Sequence, residues 1–351
     1  MRKLAALTTR DISLHRPVLY GFAALWIVLF HTGFAMPDSA WFMPLKFMQA
    51  TGACGVEIFI LLTGAGLYRS LNRNPDVKAF WKKRFVRVIV PTLVVSLVYF
   101  AVHETSFVKY CAKVLMFPFW LGVPAIWYGP FIFTMYLIYP WLHKMQKKSP
   151  RTLYVLFAGT LVLAFLTSML DNGWADNCNR AVARIPLFIL SAILAPVLEQ
   201  DRKIPLWVMP AVLAAGIAVW VLKDIFGLSG YAVRTVCYTF IAAFAILLIT
   251  WLCRAACESR FKWGTGIIYR FLAFCGGISL EIYLCYGRMI TLMKRMPLYQ
   301  SGGISQLQLE LAGVPMAILL ALLLSWFCAA LVKRYDSIAL PEAAGAGKRN
   351  G

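Results

Sequence analysis

Hydrophobic residues occur along this chain in solid blocks of about 17 to 23 residues, and short charged clusters separate one block from the next. A helix of that length crosses the ~30 Å hydrocarbon layer of a membrane. The blocks lack the ~10-residue alternation of barrel strands. The pattern therefore predicts an all-α, polytopic transmembrane bundle of about ten helices. The predicted spans are 18–36, 47–68, 86–103, 125–142, 152–170, 182–198, 205–223, 233–252, 271–287 and 312–332.

The composition supports a membrane protein. Of the 351 residues, 61% are hydrophobic and 14% are charged, and the mean hydropathy is +0.71. An ordinary soluble domain has about 25% charged residues, so these values exclude that class. We expect a multi-pass protein of a cell membrane, of the bacterial inner or plasma membrane type, with the lipid bilayer as its partner.

The basic residues predict the orientation of the helices. The predicted inner segments hold 25 of the 35 lysines and arginines, and cytoplasmic loops are the ones enriched in these residues. Both termini are therefore expected in the cytoplasm, and the net charge of +20 reflects topology and not nucleic-acid binding. The chain divides into an N-terminal cytoplasmic segment 1–17, a transmembrane domain 18–333 and a tail 334–351 that we expect to be disordered.

Two segments test this topology. Segment 104–124 is apolar enough for an eleventh span, but a crossing there would move the later basic clusters outside. We therefore interpret it as a re-entrant or interfacial segment on the outer side, interrupted by Pro118 and Pro124. Segment 288–311 is predicted to lie outside although it carries three basic residues, which makes the ninth span the weakest point of the assignment.

Two ionisable residues interrupt the first two apolar blocks. His31 lies ~20 Å along a helix that enters from the cytoplasm, and Glu57 lies ~15 Å along the returning helix, so both reach similar depths. We predict a His–carboxylate pair, in which Glu57 fixes the imidazole tautomer and His31 acts as general base. The alternatives are a purely structural interhelical hydrogen bond and a proton relay in a transporter.

A basic cluster follows the second span on the cytoplasmic side. Most of its residues are expected to fix the orientation of the helices in the membrane and to contact lipid headgroups. Arg84 and Arg87 are three residues apart on one helix face, so their guanidinium groups are candidates for holding phosphates of an anionic substrate such as coenzyme A. The nine cysteines lie mostly within apolar blocks, and we expect neither a metal site nor a tightly bound cofactor.

Further candidate substrate-binding residues lie at the start of the fourth predicted span and within the ninth. Trp127 and Tyr128 suit either an aromatic belt at the membrane surface or stacking against a sugar. Glu281 is a carboxylate within an apolar span and needs a partner, and Tyr283 lies near it. We assign all four to substrate binding.

Five stretches, in order between residues 16 and 290, resemble acyltransferase family 3, a family of integral membrane O-acyltransferases with a ten-helix core. They are LYGFAALWIVLFH, GVEIFILLTGAGLYRSL, FWKKRFVRVIVP, IWYGPFIFTMYLIYPWL and GISLEIYLCYGRM. The chain departs from the family pattern twice. Tyr20 stands where many members have an Arg, with the nearest arginine at Arg16, and Tyr286 stands where the late motif often ends in His.

The resemblance implies transfer of an acyl group, commonly acetyl, from cytoplasmic acyl-coenzyme A to a hydroxyl of a cell-surface polysaccharide or similar acceptor at the outer face. By position, it makes His31 the general base and Glu57 its supporting acid. Direct attack on the thioester, an acyl-His intermediate and a two-step transfer across the membrane all remain open. The alternatives are a proton-coupled or lipid-linked-sugar transporter that uses the buried pair as a relay, and a catalytically inactive relative.

Overall fold

The structure, a computed structural model, describes residues 7–32, 36, 38–103, 106–107, 115–123, 127–170, 173–258, 262–303 and 305–346. Within these ranges it is helical apart from loops and one short antiparallel strand pair, which confirms the all-α prediction. The elements are β1 Leu7–Thr8, α1 Thr9–Leu14, α2 Arg16–His31, α3 Met43–Thr51, α4 Cys54–Arg73, α5 Val77–His103, α6 Tyr128–Lys148, α7 Pro150–Thr167, α8 Gly173–Val182, α9 Ile185–Glu199, β2 Lys203–Ile204, α10 Val208–Ile225, α11 Tyr231–Glu258, α12 Lys262–Gly277, α13 Ser279–Met293, α14 Pro297–Gln300 and α15 Gln306–Ala346.

Most of the predicted spans fall on one helix, but 47–68, 182–198 and 271–287 each cross a junction between two helices. The helices also differ in how well they suit a bilayer. Among the described residues, six helices are long and apolar enough to cross a membrane, or seven if α12 and α13 count as one bent span. Helix α2 ends at His31 after 16 residues, whereas the predicted first span runs to 36. Residues 33–35 of that span lie outside the described part of the chain. The count of ten therefore stays a prediction.

Contacts between loops group the predicted inner segments at one end of the bundle. The β1–β2 pair joins the N-terminal segment to the loop after α9. Asp11 forms an ion pair with Arg254 at 2.6 Å, and Arg69 forms a two-pronged ion pair with Glu199. Four segments that the charge pattern assigns to one side thus meet in space.

Segment 104–124 is described only in part, because 104–105, 108–114 and 124–126 lie outside the described residues. A short 3-10 helix, Phe117–Leu121, packs on α6 and α8. The Trp120 indole donates to Thr134 Oγ1 at 2.9 Å, and the Trp174 indole donates to the Trp120 carbonyl at 2.9 Å. The described part of this segment therefore folds back on the bundle.

The predicted ninth span, 271–287, straddles a break in the structure. Helices α12 and α13 meet there at an angle of 80°, and α13 continues to Met293, beyond the predicted end. The apolar run predicts helix but carries no signal for the bend, so the predicted boundaries are wrong. The last helix, α15, extends to Ala346, and residues 347–351 of the predicted tail lie outside the described part of the chain. The disorder of the tail stays a prediction.

Glycines let α2 approach its neighbours closely. A Cβ at Gly21 would overlap the carbonyl oxygen of Leu272, and one at Gly276 would overlap that of Pro17. On another face of α2, a Cβ at Gly55 of α4 would overlap the Ala23 carbonyl oxygen. These contacts hold α12 and α4 against α2 and fix its rotation.

Candidate active site

A cavity of about 510 Å³ lies between α2, α4, α5, α6 and the bent pair α12–α13. Its volume is within the range of small-molecule sites. It reaches from the start of α2 to its end, so it connects the cytoplasmic end of the predicted topology with the opposite half of the bundle. The residues that line it include Arg16, Tyr20, His31, Thr63, Gly66, Lys83, Arg84, Arg87, Tyr128, Tyr136, Ser279, Tyr283 and Tyr286, but no Asp or Glu among the described residues.

Arginine side chains crowd the end of the cavity at the start of α2. The Arg84 guanidinium lies between two rings, 5.7 Å from the Phe80 centroid and 6.0 Å from the Tyr136 centroid. Its Nε is buried with no hydrogen-bond partner among the described residues. Arg87 Nη2 donates to the Gly277 carbonyl at 3.2 Å. Guanidinium groups with no acidic residue on the described cavity wall suit an anionic ligand.

His31 lies at the other end of the cavity and is exposed. Its Nδ1 is 2.8 Å from the carbonyl oxygen of Ile27, one turn earlier on the same helix. A carbonyl oxygen can only accept, so Nδ1 carries the proton in this contact. In the neutral ring Nε2 then has the free lone pair, which is the form that a general base needs.

Glu57 does not contact His31. It is fully buried, and its Oε1 lies 2.7 Å from Nη2 of Arg184, so its ionic partner is a residue that the sequence analysis did not consider. Neither carboxylate oxygen has a well-aligned hydrogen-bond donor among the described residues, although the Glu57 and Arg184 charges are in ion-pair contact. The predicted His31–Glu57 pair is therefore corrected to a Glu57–Arg184 pair.

Helix rotation explains this correction. Gly55 faces α2, and Glu57 follows two residues later, which turns it by about 200° to the opposite side of α4. Counting residues gives a depth along each helix, but it does not specify which face a side chain lies on. A signal for the true partner was present, because Arg184 lies inside the predicted span 182–198 and a charge there needs a partner.

Arg184 also organises the aromatic residues at the start of α6. Its guanidinium carbon lies 4.7 Å from the Trp127 ring centroid, and Nη1 donates to the Arg180 carbonyl at 2.9 Å. The next residue, Tyr128, lines the cavity and packs edge-on against Tyr283 at 5.5 Å. The Glu57–Arg184 ion pair thus lies outside the cavity lining, where it packs against Trp127, the residue next to Tyr128 of the cavity wall.

The other predicted site residues separate into two groups. Tyr128 and Tyr283 line the cavity together with His31, Arg84 and Arg87. Trp127 and Glu281 do not line it. Glu281 is 5% exposed, and its Oε2 has no hydrogen-bond partner among the described residues.

Comparison with known proteins decides the family. The sequence model of acyltransferase family 3, described as an acyltransferase domain, matches residues 18–330. The chain belongs to this family. No curated protein and no solved structure gave a significant match. The protein is therefore a membrane acyltransferase, and the predicted resemblance is confirmed.

Both departures from the family pattern lie in the cavity of this acyltransferase. Tyr20 stacks on Phe59 at 5.2 Å, and the Arg16 guanidinium, one turn earlier on α2, lies 5.9 Å from the Tyr20 ring. A guanidinium therefore occupies this region even though the residue that supplies it has shifted. The hydroxyl of Tyr286 donates to Glu310 Oε2 at 2.8 Å, so this tyrosine is anchored by α15.

Proposed function

We propose that this acyltransferase moves an acyl group, acetyl in the simplest case, from cytoplasmic acyl-coenzyme A to a hydroxyl of a cell-surface carbohydrate or related acceptor at the outer face. One observation carries the proposal: a single cavity has arginines at one end and an imidazole at the other. Along α2, Arg16 and His31 are separated by ~22 Å. The extended pantetheine arm of coenzyme A is of the same order, ~20 Å by the reach of a comparable peptide chain.

In the proposed reaction, the donor phosphates bind near Arg84 and Arg87, and the arm carries the thioester toward His31. His31 Nε2 removes the proton of the acceptor hydroxyl as its oxygen attacks the thioester carbonyl. The carbon–sulfur bond breaks, and the coenzyme A thiolate takes the proton from the imidazolium. Acyl-coenzyme A is a substrate in this scheme, and no tightly bound cofactor takes part.

Within this proposal, the Glu57–Arg184 pair is a positioning element. The sequence-based role of Glu57 as the acid behind His31 is not proposed again, because Ile27 occupies the ring nitrogen that Glu57 was expected to hold. The pair instead fixes Trp127 and, through the chain, the neighbouring Tyr128 on the cavity wall.

The alternative function is transport, and one observation supports it. The 80° break between α12 and α13 borders the cavity, and broken helices are common at transporter binding sites. The two functions make opposite predictions about coenzyme A. A transporter moves substrate across vesicles in the absence of acyl-coenzyme A, whereas the proposed enzyme consumes the thioester.

The decisive experiment uses purified protein in neutral-lipid nanodiscs with acetyl-coenzyme A labelled in the acetyl group, and follows thiol release and acetyl transfer. We expect His31→Ala to lower the rate at least about 100-fold, the lower range for a general base. His15→Gln is the control, because His15 does not line the cavity and contacts Tyr269. Equal rates for wild type and His31→Ala would refute the mechanism, and no turnover by the wild type would favour transport or an inactive relative.

A further inference from the structure

A second pocket of about 290 Å³ adjoins the arginine end of the cavity. It lies in the angle between the last turns of α4 and the first turns of α5. It shares Gly66, Lys83 and Arg84 with the cavity, so the two spaces meet at these residues. We call it the side pocket. Its lining residues are Gly66, Arg69, Ser70, Arg73, Asn74, Ala79, Phe80, Lys83 and Arg84.

The described lining of the side pocket has an excess of positive charge that is only partly neutralised by described residues. Arg69 is paired with Glu199, at 2.9 and 3.0 Å. Arg73 and Lys83 are exposed and form no ion pair among the described residues. No Asp or Glu belongs to the described lining of the pocket. A concave surface with two uncommitted cations favours an anionic ligand.

Two guanidinium groups meet where the cavity joins the side pocket. Arg84 Nη2 lies 3.5 Å from the Gly66 carbonyl oxygen, and a Cβ on Gly66 would be 2.7 Å from Arg16 Nη1. Glycine at this position therefore leaves room for the second guanidinium. A pair of arginines around one point suits a diphosphate, because each planar group donates two parallel hydrogen bonds.

The part of the side pocket beyond this junction is long enough for a nucleoside. From Gly66 to Asn74 the wall formed by α4 extends ~12 Å. The turn into α5 is held by Asp76, whose Oδ1 accepts from the amides of Lys78 and Ala79 at 2.8 and 3.2 Å. These amides are occupied, so the side chains of Arg73 and Lys83 are the charged groups of the lining left to recognise an anion at this end.

We propose that the side pocket binds the adenosine 3′-phosphate end of the donor, with the diphosphate at Gly66 and the 3′-phosphate between Arg73 and Lys83. The inference rests on the proposed function and adds to it the place where the nucleotide end of the donor binds. The pocket selects free coenzyme A thioesters over thioesters that lack the 3′-phosphate. Ala79 and Phe80 supply the apolar part of the wall.

The test compares coenzyme A with dephospho-coenzyme A, which differs only by the 3′-phosphate, in calorimetric binding to the full chain in phosphatidylcholine nanodiscs. We expect wild-type protein to bind coenzyme A at least about tenfold more tightly. Arg73→Gln and Lys83→Gln each lower this ratio at least threefold. Lys78→Gln is the matched control, since it removes an exposed charge from the same turn without touching the pocket lining, and it leaves the ratio unchanged.

Equal binding of the two compounds by the wild type, or a ratio that is the same in Arg73→Gln as in wild type, overturns the inference while leaving acyl transfer open. A second arm replaces part of the phosphatidylcholine with phosphatidylglycerol. If the anionic lipid abolishes the discrimination, the pocket is a headgroup site and the inference is wrong. Failure of the proposed function has a different signature, because neither acetyl-coenzyme A nor its dephospho analogue is then turned over.

Discussion

Two contacts of single residues set the chemical character of the cavity at its two ends. The Ile27 carbonyl sets the tautomer of His31, and Arg16 supplies a guanidinium beside Tyr20 from one turn earlier on α2. Both effects operate within one turn of α2. The chemistry of the site therefore depends on local contacts that are independent of the buried carboxylate.

Replacing Arg16 tests whether its guanidinium takes part in donor binding. We expect Arg16→Gln to raise the KM for acetyl-coenzyme A about tenfold with a smaller effect on kcat, because it removes charge from the donor end of the cavity and leaves His31 in place. Steady-state kinetics of thiol release measure both constants. Arg10→Gln is the control, since Arg10 is exposed and does not line the cavity. A fall confined to kcat would contradict the assignment.

The Glu57–Arg184 pair makes a prediction about stability. Glu57→Gln leaves the Arg184 charge buried without its counterion, and breaking a buried ion pair in this way costs about 3–5 kcal/mol. We expect a clear fall in the thermal unfolding midpoint of the purified protein. The double variant Glu57→Gln with Arg184→Gln should recover part of the loss, because no unpaired charge remains. An unchanged unfolding midpoint in Glu57→Gln would show that the Glu57–Arg184 pair does not stabilise the fold.

At the scale of elements, glycine contacts determine which faces of the helices meet. Gly21 and Gly276 allow α2 and α12 to touch through their backbones, and the break after α12 turns α13 so that Ser279 and Tyr283 line the cavity. Gly55 presents one face of α4 to α2 and directs Glu57 toward Arg184. The cavity is thus a consequence of three close helix contacts.

Substitution at one contact tests this account. Gly21→Ala places a methyl group onto the Leu272 carbonyl, and we expect destabilisation of about 1–3 kcal/mol from overpacking, together with reduced donor binding. Gly159→Ala is the matched control, because Gly159 lies in α7 with no atom within 4 Å of an added Cβ. That variant should be neutral or slightly more stable, since alanine favours helix. Thermal unfolding in detergent compares the two.

At the scale of the whole molecule, the loops expected in the cytoplasm converge at one end of the bundle, which is also the end where the cavity carries its arginines. In the proposed function, this is the cytoplasmic end, where the donor enters. His31 lies at the other end of the cavity. The proposal therefore gives donor and acceptor separate routes to one reaction centre.

Labelling of introduced cysteines from either side of the membrane checks this orientation. In a cysteine-free background, Arg10→Cys and Lys203→Cys should react with an impermeant maleimide only from the cytoplasm, and Asp224→Cys only from outside. All three residues are exposed, so access does not depend on unfolding. Reaction of Arg10→Cys and Lys203→Cys from opposite sides would contradict the strand pairing of their segments.

The sequence by itself determined that this chain is helical, membrane-embedded and related to acyltransferase family 3, and it identified His31, Arg84 and Arg87, which the structure brings to one cavity. These properties follow from apolar block length, charge distribution and local motifs, which depend on neighbours along the chain. Only the tertiary structure decided the partner of Glu57, the break between α12 and α13 and the side pocket. Those depend on the rotation of each helix about its axis, which is set by contacts between residues far apart in sequence.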